Sequence, residues 1–266
     1  LSPLDTLTAQ QARALRGFTF DLDDTLLDHG RLTEVAFAAL HRLVEAGLEL
    51  YGITGRPAGW ADVLTRLLPL RGVVAENGAL ASVRRGERVV LLDSVSAAER
   101  ARRTQRLDTL ITEFSSAFGD FEPTDDQRAR ISDRTFDIGE HRQVPPERVE
   151  RASTWLRQHG ARCFTSSVHL HATFDQSDKA SGAVRLLSEL SGLDETEVLG
   201  AYAFIGDSEN DASCFAAFRL SIGVSNLRGR PTLRPRFSTH AARGAGFAEA
   251  AQRILRLREV SDKSPS

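Results

Sequence analysis

Methionine is absent from this 266-residue chain, even at its first position, so its start is expected to be processed or trimmed. Cysteine occurs only as Cys163 and Cys214, which lack metal-ligand or redox spacing and are expected to be reduced, packed thiols. No apolar run reaches the roughly 18 residues of a membrane span, and no signal-peptide pattern opens the sequence. A net charge of −2 removes the electrostatic case for nucleic acid or an anionic membrane as partner. A cytoplasmic enzyme or binding protein is what these absences leave. Lysine is scarce as well. Lys179 and Lys263 are the only lysines among 34 basic residues, and Lys263 lies in a polar tail, "SDKSPS", expected to be disordered.

What is present reads as an ordinary soluble composition, 41% hydrophobic and 26% charged, long enough for one large domain or two smaller ones. "GFTFDL" reads as a short strand after an N-terminal extension, "LSPLDTLTAQQARAL", expected to be partly helical. "LTEVAFAALHRLVEAG" sets Val35, Ala39, Leu40, Leu43 and Val44 at helical spacing, with Thr33 as cap and Gly47 as stop. "LELYGITG" is a second strand, "PAGWADVLTRLLPL" a helix begun by Pro57, and "GVVAENGA" a third strand closing in a turn. This β-α-β-α-β order predicts a parallel sheet with covering helices. The rhythm returns after about residue 178 with a helix, "AYAFIG", a helix at "SENDASCFAAF", "RLSIGV" and a last helix near "AGFAEAAQRILRLRE". Residues 82–176 differ. Alternating strands "ERVVLLD", "DRTFDIG", "ARCFTSS" and "HLHATFD", with helices near 97–117 and 146–159, predict an α+β insert in an α/β host. The insert carries 15 basic and 15 acidic residues, so its arginines do not make a basic surface.

Ligands of parallel α/β sheets bind beyond the carboxyl ends of the strands. Four such ends carry Asp21, Asp23, Asp24 and Thr25; Thr54, Gly55 and Arg56; Glu76, Asn77 and Gly78; and Asp207, Ser208, Glu209, Asn210 and Asp211. Asp21 and Asp23 point the same way in an extended segment, so their repulsion needs a counter-charge. With Asp207 added, a hard dication that prefers oxygen ligands, Mg²⁺, fits best. Lys179 supplies a compact ammonium in a chain that otherwise uses arginine. Thr54, on a glycine-containing turn, offers a hydroxyl and nearby backbone N–H groups to a phosphate oxygen.

"DLDDT", "ITGR", Lys179 and "GDSEND" resemble, in order, the four motifs of the haloacid dehalogenase superfamily of phosphohydrolases. "AENGAL" matches the turn that leads into the cap of such proteins, and the insert resembles their type IIB cap. The resemblance implies a Rossmann-like parallel-sheet core over residues 1–81 and 177–266 with an inserted α+β cap at 82–176. It implies that Asp21 attacks phosphorus to give an aspartyl-phosphate, and that Asp23 protonates the leaving oxygen and then activates water. Thr54 and Lys179 would hold the phosphoryl oxygens. Asp21, the backbone carbonyl of Asp23, and Asp207 would ligate Mg²⁺, supported by Asn210 and Asp211. Asp24 stands where many relatives have glycine, and aspartate tolerates the unusual backbone angles of a turn.

A dehalogenase needs no acid/base two residues after its nucleophile, so Asp23 points to phosphate esters. Gly55, Arg56, Ser166, Ser167, His169 and His171 are the candidates for substrate contact. The histidines share one face of a strand. They are alternatively polar surface positions, or a metal pair lacking a third ligand. Similarity to the caps of sucrose-phosphate and mannosyl-phosphoglycerate phosphatases implies a sugar phosphate or phosphoglycerate-type ester as small-molecule partner. A phosphomutase, a nucleotide-sugar transferase using "DLD" as a metal motif, and a non-catalytic sugar-phosphate-binding protein are the rival readings.

Overall fold

The computed structural model describes every residue except 167, 228–230 and 260–266. Ser167, a candidate substrate contact, and the tail bearing Lys263 therefore lie outside the described residues. The extension forms strand β1 (Ser2–Pro3), a single turn and the short helix α1 (Ala9–Arg13), capped by the Thr8 side chain. Then follow β2 (Gly17–Phe20), a small hairpin of β3 (Leu27–Asp28) and β4 (Arg31–Leu32), α2 (Glu34–Glu45), β5 (Glu49–Ile53) and α3 (Ala58–Leu67). β6 (Gly72–Ala75) leads into the hairpin of β7 (Leu80–Arg85) and β8 (Arg88–Asp93). The middle of the chain supplies α4 (Ala97–Ala117), β9 (Asp133–Asp137), α5 (Pro146–Gln158), β10 (Arg162–Thr165) and β11 (His169–Thr173). α6 (Lys179–Ser191), α7 (Glu195–Ala201), β12 (Tyr202–Gly206), α8 (Ala212–Ala217), β13 (Leu220–Gly223), β14 (Phe237–Ser238) and α9 (Arg243–Glu259) complete the order.

Nine strands form one sheet in the order β1-β14-β13-β12-β2-β5-β6-β7-β8, parallel up to β6, with β7 and β8 added antiparallel. β2 is the switch point, with β5 on one side and β12 on the other. Phe20 pairs with both Gly52 and Ile205, so Asp21, Thr54 and Asp207 leave the sheet at one edge. All four residues of β2 are buried. Phe18 and Phe20 face Phe247 of α9, with ring centroids 5.6 and 5.1 Å apart, while Thr19 between them donates its hydroxyl to Ala203 O. One core lies between the sheet and α1, α2 and α9; a second lies under α6 and α8.

Two expectations shift. The buried stripe of α2 is Ala36, Ala39, Leu40 and Leu43, whereas Val35 and Val44 are 49% and 40% exposed. Helical spacing admits either flank, and packing of α2 on α9 selects the Ala36 side. The second concerns residue 82, the expected start of the insert, which lies inside β7. β7 and β8 extend the large sheet instead, and in the edge strand β8 exposure alternates from Val90 to Asp93 because Val90 and Leu92 pack on the core while the other face is solvated.

Beyond Asp93 a second layer forms, a three-stranded antiparallel sheet in the order β10-β11-β9. α4 and α5 pack on one face of it around Leu107, Phe114, Phe136, Leu156 and Leu170. In β11, His169, His171 and Thr173 alternate with Leu170 and Ala172 and so take the opposite face, toward the carboxyl edge of the large sheet. Arg100 of α4 ties the two connecting segments together, bonding Asp93 on the way in and Asp175 on the way out.

Candidate active site

Asp21 leaves β2 in extended conformation, and the chain then turns sharply: Asp24 has φ +55°, the left-handed region that aspartate tolerates. Its carboxylate accepts from Arg243 Nε at 3.1 Å and its carbonyl from Asn226 Nδ2 at 2.9 Å, which fits a turn residue. Lys179 is the first residue of α6. It reaches the site because the start of α6 rests directly on the 76–78 turn. A Cβ on Gly78 would come within 2.0 Å of Asp178 O, and its φ of +101° is itself a glycine conformation.

Lys179 Nζ donates to Asp21 Oδ1 and to Asp211 Oδ1, each at 2.7 Å, and all three groups are buried. The other oxygen of Asp211 accepts from the backbone N–H of Asp207 at 2.9 Å and of Ser208 at 3.1 Å. Burial pushes the Asp21 pKa well up; Lys179 opposes this, and the charges of Asp211, Asp207 and Asp23 add to it. Burial works against the charge of Lys179, yet Asp21 and Asp211 raise its pKa above the ordinary lysine range. Oxygens of Asp21, Asp207 and Asp211 lie within 4.8 Å of one another. Three buried carboxylates against one ammonium leave an excess of negative charge, and an all-oxygen donor set of this kind fits a hard dication such as Mg²⁺. Of the five residues expected around the metal, these three bring side-chain oxygens together, while Asp23 is expected to offer only its backbone carbonyl. The Asp23 side chain turns to Arg56, and Asn210 Nδ2 donates to Asn77 Oδ1 at 3.1 Å.

Asp23 accepts two bonds from Arg56, at 2.9 Å from Nε and 3.0 Å from Nη2. The Arg56 guanidinium lies over the Trp60 ring, 4.8 Å from its centroid. Burial opposes its charge, but the bonds and charge of Asp23, then Glu140 and Asp126, raise its pKa. Thr54 is fully buried and its hydroxyl oxygen accepts from Arg56 N at 3.0 Å. Asp23 and Arg56 open on a cavity of about 400 Å³ lined also by Asp21, Gly55, Lys179, Asp207 and Asn210 from the large sheet and by Glu140, Ser166, His169 and His171 from the second layer; Thr54 lies behind this lining.

The two histidines do not share a ligand. His169 Nε2 donates to Glu140 Oε2 at 2.6 Å, while His171 Nδ1 meets Asp133 Oδ2 at 3.0 Å and Thr135 Oγ1 at 3.1 Å. Burial lowers the pKa of His171, with Asp133 opposing. Burial alone would raise Asp133, but Arg130 and His171 outweigh it and hold its pKa at about 2. Sequence reasoning assigned no role to Glu140, Asp133, Arg130, Asp126 or Glu76. Glu76 is the most connected. Its carboxylate accepts from Ala58 N, Ile131 N, Ser132 N, Ser132 Oγ and Asp133 N, fastening the second layer to the end of β6. Arg130 adds a bond to Gly55 O at 3.0 Å. Glu76 stands in the quoted "AENGAL", where its place at a strand end was the available signal; Asp133 opens β9, and Glu140, Arg130 and Asp126 lie outside the regular strands and helices, without a periodic pattern.

The pattern of haloacid dehalogenase-like hydrolases matches residues 18–104. A phosphoglycolate phosphatase of Methanothermobacter thermautotrophicus is 30% identical over 246 residues, spanning 91% of this chain and 99% of that protein. A phosphoglycolate phosphatase of Pyrobaculum neutrophilum is 28% identical over 240 residues, 88% of this chain and 93% of its own. Among solved structures, the Thermoplasma acidophilum 0175 protein superimposes with TM-score 0.71 at 19% identity, covering 91% of this chain and 98% of that one. The sucrose-phosphatase of Synechocystis, solved with sucrose and phosphate, gives TM-score 0.65 at 14% identity over 91% and 98%.

Proposed function

This chain belongs to the haloacid dehalogenase-like hydrolases and is a phosphoric monoester hydrolase, and from that premise we propose a Mg²⁺-dependent phosphatase of short phosphate esters that works through an aspartyl-phosphate on Asp21. The observation that carries this reading is the buried bridge of Lys179 between Asp21 and Asp211, with Asp207 beside it at the mouth of the cavity.

Asp21 attacks phosphorus with the oxygen that Lys179 does not hold. The bond from phosphorus to the ester oxygen breaks as the bond to Asp21 forms, and Asp23 delivers a proton to the departing oxygen. Asp23 then takes a proton from water as that water displaces phosphate from Asp21, which returns both carboxyls to their starting states. Lys179 compensates charge on the nucleophile and on the phosphoryl oxygens. Thr54 uses its hydrogen for the same oxygens, its oxygen being held by Arg56 N. Arg56 fixes the orientation of Asp23. Bound between Asp21, the Asp23 carbonyl and Asp207, Mg²⁺ would neutralise charge on the transferring group. Asp211 supports that set from behind and Asn210 from the side.

A short ester carrying an acid, of the phosphoglycolate or phosphoglycerate type, suits this site better than a sugar phosphate. The two curated relatives cited share more identity with this chain than the sucrose-phosphatase does. Glu140 and His169 also stand beside Arg56 in the cavity wall, a set of charged and polar groups of the kind an acid group meets. The test is phosphate release from 2-phosphoglycolate and from sucrose 6-phosphate, with and without Mg²⁺. Wild-type hydrolysis that persists in Asp21→Asn would remove the nucleophile assignment.

A further inference from the structure

We infer that Glu140 is a built-in stand-in for the acid group of the substrate, held between Arg56 and His169 until an ester bearing its own carboxylate takes its place. The inference rests on the reading of the cavity as a phosphatase site.

The loop that carries Glu140 is fixed. Asp137 at the end of β9 accepts three successive backbone N–H groups, from Gly139 at 3.0 Å, Glu140 at 2.7 Å and His141 at 2.9 Å. This Asx-type turn sets Glu140 so that its side chain enters the cavity. There one carboxylate spans the two layers, taking a hydrogen bond from His169 Nε2 at 2.6 Å and lying 3.5 Å from Arg56 Nη2. The two donors are part of the wall, with side chains 6% and 11% exposed, while the Glu140 side chain is 28% exposed. The donors stay; the acid is the member with a way out.

Charge makes this an exchange rather than an addition. Arg56 already faces Asp23, Asp126 and Glu140, so a further anion has no unused positive charge to meet. A carboxylate that replaces Glu140 leaves the local charge count as it was and takes over one charge-assisted bond and one ion pair. A neutral or hydroxylated leaving group brings no charge to trade. Asp23, expected at the ester oxygen, touches Arg56 directly, and Arg56 is in turn within 3.5 Å of Glu140, so the proposed ester oxygen and the acid to be replaced flank one guanidinium.

The test compares full-length wild type, Glu140→Gln and Glu140→Ala at saturating Mg²⁺, using 2-phosphoglycolate and 4-nitrophenyl phosphate, which has no acid on its leaving group. Removing the internal competitor lowers KM for 2-phosphoglycolate relative to KM for 4-nitrophenyl phosphate by about 5- to 10-fold in both variants. Inhibition by glycolate, the acid without a phosphate, strengthens by a similar factor. A ratio that stays constant, or a glycolate constant that does not move, overturns the inference while leaving the phosphatase reading in place. A wild type that hydrolyses 4-nitrophenyl phosphate but not 2-phosphoglycolate overturns it in the same way. A wild type that releases phosphate from neither ester removes the functional reading and this inference with it. Glu140→Gln keeps the side-chain shape, and a thermal unfolding scan separates a misfolded variant from an altered site.

Discussion

Replacing Glu76 by glutamine, a change of one atom, is expected to damage this protein about as much as truncating it to alanine. The reason is arithmetic of donors. Oε1 accepts from Ala58 N at 3.0 Å and Ile131 N at 2.9 Å; Oε2 accepts from Ser132 N at 2.6 Å, Ser132 Oγ at 2.7 Å, Asp133 N at 3.2 Å and, in a shared bond, Ile131 N at 3.2 Å. Every partner is a donor, and only a carboxylate has two acceptor oxygens to give them. Glutamine must aim its NH₂ at one group or the other. With its oxygen on the Ser132 side, Ala58 N faces a donor across a buried joint and Ile131 N keeps only its 3.2 Å bond to Oε2. The lost bond costs about 1–3 kcal/mol and the weakened one about 1 kcal/mol, so the loss is about 2–4 kcal/mol. Alanine strips all five donors but opens room for water, which holds the cost near 1 kcal/mol each, about 5 in total. Burial, followed by Asp133, raises the Glu76 pKa, so the wild-type charge is itself held at a cost. Recovery of that cost brings alanine down to about 3–4 kcal/mol, close to glutamine. Urea unfolding at pH 7, followed by far-ultraviolet circular dichroism with a common m-value, measures both losses. A glutamine variant within 0.5 kcal/mol of wild type refutes the donor count. Hydrogen exchange adds a local check, since the amides of residues 131–133 should lose protection first in either variant.

Lys179→Met should lower kcat/KM for any phosphate ester by at least about 10³-fold, because the nucleophile and phosphoryl oxygens lose their cation together; steady-state kinetics decide it. Without metal the same variant should lose about 3–5 kcal/mol in urea titrations, since two buried carboxylates lose their partner. Adding Mg²⁺ should restore part of that loss in proportion to its binding. Asp133, held at about 2 against an ordinary value of 3.8, gives an acid-side signature. A lowered carboxyl pKa stabilises the fold fully above pH 4 and loses that stabilisation as pH falls toward 2, here about 2 kcal/mol. Asp133→Asn should flatten stability against pH in that window, and unchanged curvature would count against the pairing with Arg130 and His171. Gly78→Ala should be poorly tolerated, because its Cβ would overlap Asp178 O and displace the start of α6. Thermal unfolding reads the stability loss, and kcat reads the shift of Lys179.

Strand ends were the legible part of this protein. "DLDDT", "ITGR" and "GDSEND" each follow a buried strand, and the parallel order of those strands is enough to bring Asp21, Thr54 and Asp207 to one edge. Lys179 stood out by its rarity. The second layer was legible as strands and helices but not in its attachments. Alternation in "ERVVLLD" reports one exposed face, and it cannot say which sheet the other face joins. Glu140 and Asp126 act through contacts between layers that are far apart in sequence and have no period. The histidine pair shows the same limit. Spacing put His169 and His171 on one face correctly, while their separate acids, Glu140 and Asp133, come from a neighbouring strand and its loop.

The central place of β2 also has a consequence for how the chain is made. Phe20 pairs with Ile205, so one side of β2 waits for its neighbour while the whole second layer is synthesised. At ordinary elongation rates that wait is roughly 10–40 s. Throughout it, "GFTF" is an apolar strand with an open edge, the kind of segment that pairs with the wrong partner. Asp21, Asp23 and Asp24 follow it immediately, and like-charged residues flanking an apolar strand discourage such pairing. The nascent chain thus carries its own gatekeepers, and the mature site later puts the same carboxylates to chemical use. Replacing them with asparagine is therefore a change to biosynthesis as well as to catalysis, and soluble yield belongs beside activity when such variants are compared.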